Sequence, residues 1–264
     1  MYFKRELALA KVMIRMRISR YRSFKLDGML LFISNLIFLV ATILFWYIVN
    51  DVGFLVEGWS YPQLLVFVAL SELFYGFEQD VFSVASLFWQ LIYNGSLDAQ
   101  LVRPIDPRKR FLLLNVDYMG LLISFVKVGV ILALANVTFN PVKLLFAGLV
   151  IFAANYVLMR IRFIICYLAF WNRKMDSLTQ ICDSFTQFNK YPLVIFPQVV
   201  KIIFQTILPF YFFSTFSAEF VLDKLSGKNL ALMLVGLCIN LIFWSLLNRV
   251  VWQLGRKNYE SISG

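Results

Sequence analysis

Asn94-Gly95-Ser96-Leu97-Asp98-Ala99-Gln100-Leu101-Val102-Arg103-Pro104-Ile105-Asp106-Pro107-Arg108-Lys109-Arg110 is a polar interlude in a chain that is otherwise a succession of apolar runs. Asn94-Gly95 is a turn dipeptide, Ser96 is placed to cap a following helix with Asp98 in its first turn, and Pro104 and Pro107 stop any helix that reaches them. The pattern predicts roughly two helical turns from Leu97 to Arg103, held as a rigid knob and closed by three cations. An ordinary interspan loop ended by interfacial cations has the same local features. On either reading it is a compact element between two membrane spans, and the chain is an all-α polytopic membrane protein.

Composition supports that class. The 264 residues are 61% hydrophobic and only 15% charged, with a mean hydropathy of +0.76, whereas soluble domains are about half apolar and about a quarter charged. The formal charge of +10 invites a nucleic-acid reading. In so apolar a chain, cations more naturally set topology against an anionic inner leaflet, so no nucleic-acid partner is expected. There is no histidine, and Cys166, Cys182 and Cys238 are scattered singly, so neither a metal site nor a disulfide framework is expected. The first apolar run starts too late and is too long for a cleavable signal peptide.

Taken in order, residues 1–28 carry eight cations beside a stripe of Phe3, Leu7, Ala10, Ile14, Ile18 and Tyr21, the pattern of an amphipathic helix lying in the membrane interface. A solvated basic tail is the simpler alternative. Six spans are expected, at 29–49, 62–82, 111–135, 144–171, 191–213 and 230–248, with the second bending as it leaves the membrane. The whole chain, 1–264, is expected to be one transmembrane domain, with 94–107 as its knob and a second cytoplasmic helix within 172–190. Under this layout twenty cations fall inside and three, Lys143, Lys224 and Lys228, outside, which puts both termini in the cytoplasm.

Nothing points to catalysis: the chain has no Gly-x-Ser-x-Gly and no phosphate-binding loop, and Gly227-Lys228 lacks the flanking residues such a loop needs. Charges inside the spans are more informative. Glu72, Lys127 and Lys201 are each costly against lipid and should face one another or an aqueous path, with Glu72 pairing to Lys127 or to Lys201. With Gln205 they are candidate path residues. Arg160 and Arg162, near an inner interface, fit snorkelling. The abundant aromatic residues fit packing and interfacial belts, or the lining of a cavity for an apolar substrate.

The order G-x-L-D-x-x-L-x-R-P-[IL]-x-P over residues 95–107 resembles the loop signature of short bacterial type-2 ABC transporter permeases. Phe188-Asn189-Lys190-Tyr191-Pro192-Leu193-Val194-Ile195-Phe196 is similar to that family's entry to span five, and Ile207-Leu208-Pro209 to its exit. Ala99-Gln100 stands where the family often has Leu-Leu, and Glu219 follows Ser217-Ala218 where a small residue is usual.

The resemblance implies the transmembrane subunit of an ATP-driven exporter in the bacterial cytoplasmic membrane. Two permease copies, or one copy and a similar chain, would sit on two ATPase subunits that hold the ATP and Mg. This chain would bind no cofactor and be no enzyme itself. Gly95, Leu97, Asp98, Arg103, Pro104 and Pro107 would form the coupling segment, and re-entrant half-helices around Pro209 and Glu219 a gate before the last span. A gradient-driven secondary transporter using the intramembrane charges is the alternative, and a membrane-embedded enzyme or scaffold a further one.

Overall fold

The computed structural model describes residues 12, 25–53, 58–138, 140–171, 174–206 and 209–259, which are helical or in turns, with no strand among them. The expected interfacial helix over 1–28 lies outside these residues apart from Val12 and Lys25–Gly28, the latter being the first turn of α1 (Lys25–Asp51).

Helix α1 carries an unbroken apolar run and leans on the rest of the molecule through Trp46, which meets Phe67 edge-on. Helix α2 (Tyr61–Phe77) starts at Ser60, whose N–H donates to the Gln63 side chain, with Pro62 in the first turn where no N–H is needed. Leu64 through Leu70 are all buried, so α2 is the central post. Its backbone does not stop but loosens into a π turn at Glu78–Phe82 and tightens into a 3₁₀ turn at Ser83–Leu87. Such changes of pitch re-aim side chains, and here they turn Glu78 inward.

Three short helices follow, α3 (Trp89–Tyr93), α4 (Asp98–Leu101) and α5 (Pro107–Asn115), and then α6 (Tyr118–Ala135). The span expected over 111–135 is therefore split. Val116 is extended, and the Asp117 carboxylate accepts from the N–H groups of Met119 and Gly120, starting a new helix. Helix α7 (Pro141–Tyr167) begins at Asn140, whose side chain caps Val142 N–H with Pro141 at the first position, and runs on as a 3₁₀ turn to Phe170.

The polar stretch after it forms α8 (Asp176–Phe185) and a 3₁₀ turn, Thr186–Lys190. The expected fifth span over 191–213 is not one helix. It comprises a 3₁₀ turn at Leu193–Ile195, α9 (Gln198–Thr206) and another 3₁₀ turn at Pro209–Phe212, because Pro192, Pro197 and Pro209 each deny the backbone a helical hydrogen bond. Helix α10 (Thr215–Val221) and the long α11 (Gly227–Lys257) complete the chain.

Among the described residues four helical segments are long and apolar enough to cross a membrane, at Gly28–Asp51, Tyr118–Ala135, Pro141–Phe170 and Gly227–Lys257. The count falls short of six for two reasons. Helix α2 has 17 residues, about 26 Å against a hydrocarbon core of about 30 Å, and α9 has only nine.

The helices bring the loops to two ends. At one, Lys143 pairs with Asp223, and the Lys224 ammonium donates to the Gly58 carbonyl at 2.5 Å while sitting 3.9 Å over the Trp59 ring. At the other, basic end, Arg108 lies 4.9 Å over Trp252, and the Asn248 amide donates to the Arg160 carbonyl at 3.0 Å.

Helix α6 is met backbone to side chain at two glycines, Gly76 of α2 and its own Gly120 beside the π turn: a methyl group on Gly76 would fall 2.5 Å from Ser124 Cβ, and one on Gly120 would collide with the Asp80 carboxylate. Gly76→Ala must push α2 from α6 and should lower the stability of the detergent-solubilised protein by about 1–3 kcal/mol. Gly148→Ala, whose new methyl would stand 3.7 Å from Leu73, should leave the thermal unfolding midpoint almost unmoved.

Candidate functional site

Gly95 adopts a φ of +69°, the left-handed turn that Asn94-Gly95 calls for, and reverses the chain after α3. Leu97 then points inward, fully buried in the same apolar cluster as Phe88 and Trp252, and its N–H donates to the Leu91 carbonyl at 2.9 Å. Anchored there, the helix that follows is a single turn rather than two. Ser96 does not cap it; its hydroxyl faces the Leu91 carbonyl at 3.4 Å.

The far side of the segment is fixed by charge. Asp106 caps α5, accepting from the Arg108 N–H at 2.9 Å and from its guanidinium at 2.5 Å. Burial works against the charged form of Asp106, yet the Arg108 hydrogen bonds and charge hold its carboxyl below the usual value. Arg103 donates to the Ala99 carbonyl at 3.2 Å, and Arg110 to the Gln100 amide oxygen. The Asp98 carboxylate lies close to Tyr259, beyond α11; burial, with this charge nearby, pushes the tyrosine hydroxyl up to about 12. The product is a small rigid knob whose tip, Val102-Arg103-Pro104, faces outward, with Val102 86% exposed. All six residues expected to couple lie in this one element.

Behind the knob is a constellation that sequence reasoning missed. Arg162 of α7 is fully buried, not snorkelling: its guanidinium pairs with Glu78 in the π turn and donates to Asp183 of α8 at 2.8 Å, and Ser86 donates to the same Asp183 carboxylate at 3.0 Å. Three segments remote in sequence are thus tied through one side chain. The sequence carries only a faint signal for it, a second cation two residues after Arg160 in a run otherwise apolar. Arg160 is half-buried, its guanidinium donating to Asn248 at 3.2 Å and stacking on Tyr156.

Of the intramembrane charges, Glu72 and Lys127 meet at 2.6 Å, both largely buried between α2 and α6. Lys201 and Gln205 are not brought to them. They share one partly exposed face of α9 with Gln198 and make no ion pair or side-chain hydrogen bond to Glu72 or Lys127. In the expected gate region, the turn begun by Pro209 carries Tyr211, whose hydroxyl donates to Glu219 of α10 at 2.5 Å. The segment from Tyr211 to Ala218 is buried, with Phe213 stacked on Phe74 of α2 at 4.2 Å and the Ser214 hydroxyl donating to Asn189 at 2.5 Å.

Residues 36–263 match the model of the ABC-2 family of transporter proteins. The chain belongs to that family. An ABC-2 protein of this kind is the membrane permease component of an ABC transporter, a multi-pass subunit whose family implies association with an ABC ATPase. No curated protein and no solved structure matches the chain.

Arg162→Ala leaves Glu78 charged in a buried setting and should cost about 3–5 kcal/mol, seen as a sharp loss of folded protein on size exclusion and of thermal stability. Arg162→Met combined with Glu78→Leu and Asp183→Leu removes all three charges of this cluster and should recover most of that loss. A triple variant no better than Arg162→Ala would refute the ion-pair account.

Proposed function

We propose that this chain is the transmembrane subunit of an ATP-driven exporter, moving its substrate across the bacterial cytoplasmic membrane by alternating access. Two permease chains, alike or closely similar, sit on two ATPase subunits, which hold the ATP and Mg. The knob formed by residues 94–107 is the lever on which ATPase closure pushes. One observation carries this reading: the knob is rigid, exposes an apolar and cationic tip, and roots Leu97 in the cluster that leads to the buried Arg162 tie among α7, α8 and the end of α2. A push at the tip then reaches the helices without being absorbed by a soft loop.

Six crossings follow if α2 spans together with its π and 3₁₀ continuation, and if the proline-broken stretch through α9 and α10 enters and folds back as the gate. Irregular backbone at that depth is tolerated where protein buries it, and the burial of Tyr211 to Ala218 fits that demand. The cation bias puts the basic end and both termini in the cytoplasm. Glu72 and Lys127, which neutralise each other, and the polar face of Lys201 and Gln205 border the path. The clasp of Tyr211 on Glu219 closes the gate.

The experiment is affinity purification of the tagged chain from its native host, with mass spectrometry of what co-elutes. A stoichiometric protein bearing Walker motifs is expected. Val102→Glu and Arg103→Ala, both at exposed positions, should reduce that protein in the eluate by about ten-fold or more, as loss of a contact worth about 1.4 kcal/mol would do, with no change in thermal stability. A chain eluting alone under conditions that preserve ABC complexes would overturn the exporter and favour the gradient-driven transporter.

A further inference from the structure

At the basic end, α11 presents Asn248, Trp252 and Arg256 at intervals of four residues, one above the other on a single face. Arg160 of α7 reaches Asn248. Arg108 of α5 and Arg256 both stack on the Trp252 ring, at 4.9 Å and 5.9 Å. Three guanidiniums from three helices therefore gather along two turns of α11. Asp106 is the carboxylate near them, and Arg108 already occupies it; among the described residues neither Arg160 nor Arg256 has an ion pair. Arg108 and Arg160 lie close enough to repel one another.

Two donors in the same place are left over. Arg160 Nε is buried and has no acceptor, and the hydroxyl of Tyr167, a fully buried side chain beside both arginines, faces the Arg108 guanidinium and has no acceptor for its own proton. Buried donors without acceptors are uncommon in folded proteins. Here they occur where positive charge is in excess and where Arg108 and Arg256 keep an edge open to the surroundings.

We propose that Arg160, Tyr167, Arg108 and Arg256 form a binding site for a phosphate group. The Arg256 guanidinium can match two phosphate oxygens at once, Arg108, bound to Asp106, and Arg160, bound to Asn248 and Tyr156, add positive charge, and the Tyr167 hydroxyl and Arg160 Nε supply donors that a carboxylate of the chain does not reach. Phe170 packs on Trp252 at 5.8 Å and against the half-exposed Trp171 at 6.3 Å, and tryptophans of that kind sit at membrane–water boundaries. An anionic phospholipid head group in the adjoining leaflet is therefore the nearest source of that phosphate, with inorganic phosphate from solution as the other source. Neither source is required by, nor excluded by, the exporter reading.

The test uses the purified full-length chain in mild detergent. Native mass spectrometry with dioleoyl phosphatidylglycerol and dioleoyl phosphatidylcholine reads lipid retention, and thermal unfolding with 10–20 mM sodium phosphate, an on-the-order-of-saturating range for a weak anion site, reads the soluble source. Phosphatidylglycerol should be retained in preference to phosphatidylcholine. Arg108→Gln with Arg256→Gln should cut that retention more than about ten-fold, since each cation near an anionic surface contributes about five-fold. Arg249→Gln with Lys257→Gln, which removes the same number of cations but from exposed positions of α11 outside the cluster, should leave it intact. Stabilisation by inorganic phosphate that disappears in the first pair alone, with no lipid preference, would assign the site to the soluble anion. Absence of both effects, or an equal loss in the control pair, overturns the proposal. Arg256→Gln alone, at an exposed position, guards against misfolding as the cause of lost retention.

Discussion

Arg162 has no route to water, so the fold must bring negative charge to it. A guanidinium placed in an apolar interior without partners would cost many kcal/mol, and its two carboxylates come from Glu78, 84 residues earlier, and Asp183, 21 residues later. Meeting that demand shapes the basic end. The backbone after α2 must leave the α pitch so that Glu78 faces inward, and α8 must fold back against α7 so that Asp183 arrives. The knob hangs from the segment that the first of these constraints bends. On the proposed lever role, the knob would have to be joined stiffly to the helices behind it, and the buried pairing of Arg162 with Glu78 between packed segments supplies such a joint.

The long apolar helices and the all-helical class are legible in hydropathy alone, since a charge-free run of twenty or more residues has few other destinations. The knob is legible too, because Asn94-Gly95 and the two prolines act locally, through φ values and missing donors. Its length is not: Leu97 is drawn into the core by tertiary contacts, and one helical turn is what remains. The break at Asp117 was present in the sequence as a good capping residue but hidden within a continuous apolar stretch. The proline-rich stretch before α10 shows the opposite weighting, where hydropathy argues for one span and backbone chemistry forbids it.

The ionic arrangements were the least legible. Glu72 with Lys127 follows from the cost of isolated charges, which limits the choices to a few partners. Arg162 with Glu78 and Asp183 does not, because nothing in a one-dimensional pattern distinguishes a cation that reaches an interface from one that is sealed by distant segments. Arg160, two residues away on the same helix, does end at a half-buried, partly polar boundary. The difference between the two is decided by what α8 and the π turn cover.

The two ends of the molecule are also held by clasps of different exposure. Opposite the basic end, Lys143 meets an Asp223 side chain that is 77% exposed, whereas Arg162 and its partner Glu78 are buried, with Asp183 at the half-exposed rim of the cluster. Mobile ions screen exposed pairs within about a Debye length and hardly reach buried ones. Rising ionic strength therefore slackens one face of the membrane-embedded bundle more than the other, which gives the two faces different mechanical compliance in brackish and dilute surroundings.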